Sequence, residues 1–365
     1  MIAFIALLIW LYLYFLHGQF WHSTPELELR RPDVAPDVDI IVPARDEEET
    51  ICAVLTSLLA QDYPGALRIY LVDDRSTDDT AAIARGFHDE RLSTITGAEK
   101  PAGWSGKMWA VAQGVEASSA PVLLLTDADI IHQPGHVASL VARLQAPRVD
   151  MVSEMVRLNC ETLAERVLVP AFVYFFQMLY PFALVNDALS HVAAAAGGTI
   201  LIRRTALTRI GGIGAIRGAL IDDVALARAV KRGGALYLGH SSLATSIRRY
   251  PKFADIGRMI ARTAFTQLNY AASLLVLTII GLTLIWLVPP FEIIFGHGWH
   301  CLCGLGAFAL ACLSYMPTLK RYGQGRYWAL ALPLIALFYM GATISSAFDY
   351  WRGRGAQWKK RAYTS

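Results

Sequence analysis

Charge is scarce in this chain of 365 residues: Asp, Glu, Lys and Arg make up only 17% of it, while hydrophobic residues make up 55%. This composition is too apolar for an ordinary water-soluble domain, so part of the chain is expected to lie in lipid. The apolar excess is unevenly distributed, because residues 36–150 carry the mixed charge of a soluble fold. The sequence therefore predicts a soluble domain between membrane segments.

Cysteine is also rare, and its five copies are odd in number with no ladder of spacings. This argues against a disulfide framework and indicates buried free thiols. The net charge is only +3, and the basic residues cluster beside apolar segments without interleaved aromatics. Such a distribution suits anionic lipid head groups better than nucleic acid, so we expect a membrane partner and no nucleic acid.

Two glycine-rich phosphate loops are missing. No Gly-x-Gly-x-x-Gly follows the first predicted strand, and no Walker lysine motif occurs anywhere in the chain. Both motifs cradle phosphates with backbone amides. A nucleotide site in this protein would therefore depend on acidic side chains and a metal ion.

The membrane segments are predicted from runs without charge. The opening stretch Ile2–Leu16 lacks the basic n-region and the cleavage site of a signal peptide, which favours an uncleaved transmembrane anchor over residues 1–22. A C-terminal transmembrane region is predicted over residues 271–350, because it contains three runs near the ~20 residues that a crossing helix needs. These runs are Ala271–Val288, Cys301–Met316 and Tyr327–Phe348.

Flanking charges predict the orientation. Arg30 and Arg31 follow the first anchor, so the positive-inside rule places the soluble domain in the cytoplasm, at the inner membrane of a multi-pass protein. Three C-terminal crossings would put the basic tail, residues 351–365, on the opposite side, which conflicts with the same rule. One apolar run is therefore expected to be re-entrant or interfacial. Residues 251–270 are predicted to form an amphipathic helix at the interface.

The soluble domain alternates predicted strands and helices. The strands are Asp39–Pro43, Leu67–Val72 and Val122–Thr126, and the helices are Thr50–Gln61, Ser76–Arg85 and Lys107–Ala117. This alternation predicts an α/β fold with a mostly parallel sheet, whose ligands bind at the carboxyl ends of the strands.

Acidic residues follow all three strands. Packing them at one edge is repulsive unless a cation compensates them, and a divalent cation, Mg²⁺ or Mn²⁺, that carries phosphates would do so. Each acidic pair taken alone could instead be a turn or a helix cap. The side chains that the strands deliver include Pro43, Arg45, Glu47, Asp73, Asp74, Asp127 and Asp129.

The order and spacing of these elements resemble glycosyltransferase family 2, the inverting enzymes of the GT-A fold, over residues 38–250. The phrase Gly103-Trp-Ser-Gly-Lys-Met-Trp-Ala-Val-Ala-Gln-Gly114 and the segment Arg258–Thr266 are similar to the hopene-associated glycosyltransferases. The resemblance implies a GT-A domain over residues 37–250. It also implies transfer of a sugar from a nucleotide-sugar, expected to be a UDP-sugar, to a lipid hydroxyl, with a hopanoid as a candidate acceptor.

The resemblance also implies roles for single residues. Pro43, Arg45 and Glu47 would line the nucleotide pocket. Asp73 or Asp74 would contact the uracil or ribose, and Lys107 would lie near the nucleotide. Asp127 and Asp129 match the Asp-x-Asp element, in which the second acid binds the metal.

For catalysis, Asp222 and Asp223 match the acidic pair whose second member is the general base. Gly197, Gly198 and Thr199 match the turn where the acceptor approaches. Related lipid and polymer glycosyltransferases carry a Gln/Arg-x-x-Arg-Trp element, and the nearest match here is Met259-Ile-Ala-Arg262-Thr263, with Arg258 one position early. Either arginine could reach a diphosphate, whereas the missing Trp argues against a polymerising enzyme.

An uncharged segment, Val167–Val185, separates the two halves of this expected site. It cannot cross the bilayer once, because the two halves would then lie on opposite sides. Pro170, Gln177 and Pro181 suit a bent helix in the membrane interface, and the alternative is a helix buried in the protein core. An interfacial helix would bring apolar surface to the acceptor, which favours a lipid.

His132 and His136 follow the metal-binding acids, but Pro134 and Gly135 between them interrupt a helix, so we do not expect them to bind a metal. The alternative functions are a polyprenol-phosphate glycosyltransferase and a non-catalytic membrane protein that binds nucleotide-sugars.

Overall fold

A computed structural model describes residues 1–353, together with the backbone of residues 357–358 and 361–362. The chain divides into two compact units. The sheet unit contains Thr24–Asn159 and Leu184–Arg249, and the helical unit contains Met1–Ser23, Cys160–Ala183 and the segment that begins at Tyr250. The side chains of the predicted basic tail beyond residue 353 lie outside the described residues.

The sheet unit is built on eight strands. They are β1 (Val38–Ala44), β2 (Leu67–Asp73), β3 (Leu92–Thr96), β4 (Val122–Thr126), β5 (Ile130–His132), β6 (Val149–Arg157), β7 (Thr199–Arg203) and β8 (Ala235–Ser246). Their order across the sheet is β3-β2-β1-β4-β7-β6-β8-β5. A separate antiparallel pair joins Gln357–Trp358 to Arg361–Ala362.

The helices of both units are numbered along the chain. They are α1 (Ile2–Phe15), α2 (Ile51–Leu59), α3 (Thr80–Arg85), α4 (Gly106–Ala117), α5 (His136–Leu144), α6 (Leu163–Leu179), α7 (Phe182–Asn186), α8 (Arg204–Arg209), α9 (Asp222–Lys231), α10 (Phe253–Gln267), α11 (Ala272–Leu282), α12 (Val288–Phe295), α13 (Trp299–Arg321) and α14 (Leu332–Trp351). Two 3₁₀ helices, Ile213–Ile216 and Arg326–Ala331, and a π-helical turn, Thr283–Leu287, complete the set.

The predicted α/β fold is confirmed. Strand β1 is buried along its whole length and pairs in parallel with both β2 and β4, in the register Ile40 to Ile69 and Ile40 to Leu124. A strand covered on both faces reads as a continuous apolar run, which is why β1 and β4 were visible in the sequence. Four of the seven neighbouring pairs in this sheet are parallel, and β7 runs antiparallel to both of its neighbours.

Within its described residues, the helical unit contains three helices that are long and apolar enough to cross a membrane: Ala272–Phe295, Trp299–Arg321 and Arg326–Trp351. The second has 23 residues, which at 1.5 Å per residue span about 35 Å and exceed the ~30 Å hydrocarbon core. Membrane association is therefore supported. Helix α1 has only 14 residues, or about 21 Å, so a full crossing by residues 1–22 stays a prediction.

Helix α6 covers most of the uncharged segment 167–185. It begins at a reciprocal capping box, in which Thr162 accepts from the backbone of Glu165 and the Glu165 carboxylate accepts from the backbone of Thr162. The middle of the helix packs against its own unit, because the Tyr174 hydroxyl lies 2.7 Å from that of Ser314. This agrees with the buried-helix alternative, and placement of the helix in the membrane interface stays a prediction.

The five cysteines are free, as expected. Cys312 is buried within α13, and Cys160, Cys301 and Cys303 are partly buried, but Cys52 is exposed, so the expectation of burial was wrong there. Cys52 lies near the start of the amphipathic helix α2, which buries Ile51, Val54, Leu55 and Leu58 on its other face.

Candidate active site

The carboxyl ends of β1, β2 and β4 bring acidic side chains to one edge of the sheet, and two basic side chains compensate most of them. Lys107 forms ion pairs with Asp127 and Asp222. Arg248 forms ion pairs with Glu47 and Asp129. A third group lies around Arg45. All three groups belong to the sheet unit.

Lys107 lies between two acids that are far apart in the chain. Its Nζ is 2.8 Å from Oδ1 of Asp127 and 3.1 Å from Oδ2 of Asp222. The start of α4 fixes its position, since Ser105 caps that helix by accepting from the Met108 amide. Burial acts to lower the pKa of Lys107, but Asp127 and Asp222 outweigh burial and raise it. The amine is therefore charged at neutral pH.

Asp223 lies in the first turn of α9, beside Asp222. Burial and the charge of Asp222 raise the pKa of Asp223 to about 7, while Lys107 and the backbone amides of Val224 and Gly197 act in the opposite direction. The Val224 amide donates to Oδ1 of Asp223 at 2.7 Å. A carboxylate with a pKa near the working pH is suited to accept a proton.

One pocket gathers these groups. Its polar wall contains Lys107, Asp127, Asp222 and Asp223, and Pro43 and Gly197 also line it. Gly197 lies close to the acid, because a Cβ atom there would lie 3.2 Å from Oδ2 of Asp223, which is closer than an ordinary contact. The apolar wall is formed by Met108, Val111, Leu125, Ile200, Ile213, Ile216 and Leu226.

Arg248 is a functional candidate that the sequence did not reveal. Its Nε donates to Oδ2 of Asp129 at 2.8 Å, and its Nη2 donates to Oε1 of Glu47 at 2.7 Å. Ser246 also donates to Oδ2 of Asp129, at 3.2 Å. Only the pairing of β8 with β5, in which Ser246 lies opposite Ile130, brings this arginine to the acids. No local sequence motif predicts the pairing of β8 with β5.

The third group surrounds Arg45. Its guanidinium donates to the carbonyl of Asp74 and lies 3.6 Å from Oδ2 of that residue. Asp73 and Asp74 are buried, and Oδ1 of Asp73 accepts from the Ser76 amide at 3.2 Å. Asp73 therefore has the turn-forming role that the sequence left open. Contact of either acid with a nucleotide stays a prediction.

The remaining predicted residues lie in two places. Gly198 precedes β7, and Thr199 begins it, opposite Thr126 of β4. Arg258 and Arg262 belong to α10 of the helical unit, where Arg258 pairs with Asp255 at 2.6 Å. Their proposed contact with a diphosphate stays a prediction.

Asp127 and Asp129 could hold a divalent cation only if a bound substrate supplied further ligands. The Asp127 side chain is 34% exposed and lines the pocket, whereas the Asp129 side chain is 10% exposed and is bound by Arg248. Among the described residues, no group of three or more His, Cys, Asp and Glu side chains is arranged to hold a metal. Mg²⁺ is commonly held by one or two carboxylates together with substrate phosphates, and this donor set fits that pattern.

Comparison with known proteins relates most of the sheet unit to glycosyltransferases. Residues 39–211 match the family described as Glycosyl transferase family 2. The N-acetylglucosaminyltransferase of Rhizobium leguminosarum bv. viciae is 33% identical over 130 residues, which are 35% of this chain and 30% of that protein. The 4,4'-diaponeurosporenoate glycosyltransferase of Staphylococcus aureus (strain MRSA252) is 34% identical over 91 residues, which are 25% of this chain and 23% of that protein. The chain thus spans less than a third of the length of these curated relatives.

A solved structure extends the similarity of fold to almost the whole chain. The mannosyltransferase from Pyrobaculum calidifontis, in complex with GDP-Man and Mn²⁺, has a TM-score of 0.56 and 18% sequence identity, and the alignment covers 95% of this chain and 99% of that one. At this identity the likeness shows the fold alone. Residues 39–211 thus resemble the family 2 glycosyl transferases, and the fold is of the GT-A type.

The ion pairs of Arg248 predict a stability effect. Arg248→Met should leave the Asp129 and Glu47 carboxylates without their shared guanidinium, at a cost of about 1–3 kcal/mol. We expect a lower apparent melting temperature of the detergent-solubilised protein, measured by intrinsic fluorescence without added metal.

Arg258→Met is the matched control, because Arg258 also pairs with an acid but its side chain is 75% exposed. Exposed ion pairs contribute little to stability, so this variant should melt close to the parent protein. Equal melting temperatures for the two variants would contradict the structural role of Arg248.

Proposed function

We propose that the protein is an inverting glycosyltransferase that moves a sugar from a nucleotide-sugar to a lipid hydroxyl at the membrane surface. The main support is the pocket in which Asp223, whose pKa is raised to about 7, lies beside the Lys107 ion-pair group. The match of residues 39–211 to family 2 supports the same reaction class.

Asp223 is proposed as the general base. An alcohol has a pKa far above neutrality, so its proton must leave as its oxygen attacks the anomeric carbon. In the proposed step, the Asp223 carboxylate takes that proton while the new carbon–oxygen bond forms. The bond from the anomeric carbon to the diphosphate oxygen breaks, and the nucleoside diphosphate leaves on the opposite face. A single displacement of this kind inverts the anomeric configuration.

The remaining acids and bases are proposed to hold the donor. Pro43, Arg45 and Glu47 would line the nucleotide pocket with Asp73 or Asp74, and Lys107 would lie near the diphosphate. Asp127 and Asp129 would hold Mg²⁺ or Mn²⁺, an ion that neutralises the charge developing on a leaving phosphate. Asp129 would then share its carboxylate between the ion and Arg248. We also propose that Arg258 or Arg262 binds the diphosphate as a charge-assisted donor.

The acceptor is proposed to be a lipid that approaches the Gly197–Thr199 turn. Three potential membrane helices and a relative named for 4,4'-diaponeurosporenoate support this acceptor class. The resemblance to hopene-associated enzymes makes a hopanoid alcohol the first acceptor to test. On the donor side, we propose a UDP-sugar, with UDP-N-acetylglucosamine tested first because several relatives are named N-acetylglucosaminyltransferases. The reaction would take place at the cytoplasmic face of the inner membrane, as Arg30 and Arg31 indicate.

Asp223→Asn tests the proposed chemistry. The full-length protein, a panel of labelled UDP-sugars and a total bacterial lipid extract should give label in the organic phase that depends on a divalent cation. The variant should lose about 10²- to 10⁴-fold in kcat, because general-base catalysis contributes that much. Its affinity for the nucleotide, measured by calorimetry, should be retained.

Asp62→Asn is the matched control, since Asp62 is an exposed acid paired with Arg31, and it should retain parental activity. Label found only in water-soluble products would reject the lipid acceptor. Lipid products that lose their sugar in mild acid would show that the acceptor is a polyprenol phosphate and not a lipid hydroxyl. Full activity of Asp223→Asn would reject the general base.

The pH dependence of kcat gives a second test. Transfer should rise with pH and reach half of its maximum near the Asp223 pKa of about 7. Because Lys107 lowers this pKa while Asp222 and burial raise it, Lys107→Met should move the midpoint to higher pH. A shift of about one pH unit or more is expected for the loss of an adjacent opposite charge.

Lys100→Met serves as the control for a change of lysine charge outside the pocket and should keep the parental midpoint. A midpoint that stays in place, or moves to lower pH, in Lys107→Met would contradict the assignment of Asp223 as the titrating base.

A further inference from the structure

Four buried polar side chains form a connected row that begins at Thr126, a residue that lines the candidate active-site pocket. Thr126 Oγ1 lies 3.0 Å from His132 Nε2, and Nδ1 of His132 lies 2.8 Å from Nδ1 of His136. His136 Nε2 in turn contacts Oε1 of Glu154 on β6. Each of the four residues is at most 2% exposed. A carboxylate such as that of Glu154 is almost never fully buried unless it is paired, and the proposed transfer reaction uses none of these four side chains.

The direction of the hydrogen bonds follows from the acceptor at the end of the row. The Thr126 hydroxyl donates to the carbonyl of Gly198 at 2.9 Å, so its contact with His132 requires Nε2–H of that ring as the donor. Nδ1 of His132 must then accept from Nδ1–H of His136. One more proton lies between Nε2 of His136 and Glu154, carried either by the imidazolium or by the carboxylic acid.

Burial supports this assignment for the central ring. Desolvation and the neighbouring His136 hold the pKa of His132 well below its ordinary value, so that ring is neutral and has one donor and one acceptor nitrogen. The other carboxyl oxygen of Glu154, Oε2, is buried with no hydrogen-bond partner. In the described part of the protein, the only hydrogen bond of the Glu154 carboxyl group is therefore the one to His136, which fixes the position of the shared proton.

The near end of the row reaches the residues that surround the base. Gly198 O accepts from Thr126 and also from the Asp127 amide, at 3.3 Å. The neighbouring Gly197 amide donates to Asp223, and a Cβ atom on Gly197 would lie only 3.2 Å from Oδ2 of that carboxylate. A displacement of this turn would therefore move both the Asp127 turn and the contact of the backbone with Asp223.

We propose that Glu154, His136, His132 and Thr126 act as positioning residues, forming a one-way chain of hydrogen-bond donors that holds the Gly197–Gly198 turn against Asp223. The consequence for catalysis rests on the proposed transfer reaction, whereas the effect on the turn does not. This row of hydrogen bonds gives His132 and His136 a role other than metal binding.

Glu154→Leu and Glu154→Gln separate this role from simple packing. The leucine side chain cannot fix the His136 proton, whereas the glutamine amide can donate to Nε2 of His136 and preserve the direction of the chain. We expect amide hydrogen exchange of the full-length protein to become about fivefold or more faster in Glu154→Leu, the factor expected for one lost hydrogen bond. The faster exchange should be confined to peptides that contain Asp127 and Gly197–Thr199, and Glu154→Gln should restore protection.

Leu140→Ala is the control for lost packing, because Leu140 is fully buried on the same helix, α5, as His136. It should destabilise the protein without exposing these peptides selectively. Thr126→Val provides the same test from the other end of the chain and decides the question if Glu154→Leu does not fold. Equal exchange in Glu154→Leu and Glu154→Gln, or an unchanged turn in Thr126→Val, would overturn the proposal.

Kinetics then test the link to catalysis. In Glu154→Leu, kcat should fall roughly 10- to 100-fold from misplacement of the base, with little change in KM for the nucleotide-sugar. A loss confined to KM, or an equal loss in Leu140→Ala, would contradict positioning of Asp223. If the parent protein transfers no sugar, the proposed function fails. The hydrogen-exchange experiment then still decides whether the row of hydrogen bonds holds the Gly197–Gly198 turn.

Discussion

The sheet unit must accommodate several carboxylates at one edge of its sheet, and the rest of the site depends on how their mutual repulsion is relieved. Two cations do most of this work. Lys107 joins Asp127 to Asp222, and Arg248 joins Asp129 to Glu47. Each cation links segments that are distant in the chain, so charge compensation also fixes the geometry of the pocket. Asp223 lies beside the first group, where burial and Asp222 keep its pKa near neutrality.

Much of the fold was predictable because its signals are local. The apolar run of β4 was predicted with its observed bounds, Val122–Thr126, and β1 and β2 were each predicted to within one residue at either end. A strand that is buried on both faces needs an apolar side chain at nearly every position, which the sequence displays directly. Only part of the Lys107 pocket was predictable in this way: Asp127 follows the buried strand β4, whereas Lys107, Asp222 and Asp223 were expected from the resemblance to family 2 glycosyltransferases.

The features that the sequence did not reveal depend on pairings between distant segments. Arg248 reaches Asp129 only because β8 lies beside β5, and nothing in its neighbourhood marks it as a partner of an acid. Likewise, His132 and His136 form a row with Glu154 only because helix α5 packs on the sheet next to β6. The extent of helix α13 was also underestimated: its 23 residues continue past Met316 to charged residues that a search for uncharged runs excludes.

We propose that the pocket between Lys107, Asp127 and Asp223 holds the donor during glycosyl transfer. The most direct test is a cryo-electron microscopy structure of the full-length protein in a lipid nanodisc with UDP and Mn²⁺. We predict that the diphosphate lies beside Asp127 and Lys107 and that the Asp223 carboxylate faces the space next to the terminal phosphate of UDP. A nucleotide bound elsewhere on the sheet unit, with this pocket closed by its own side chains, would contradict it.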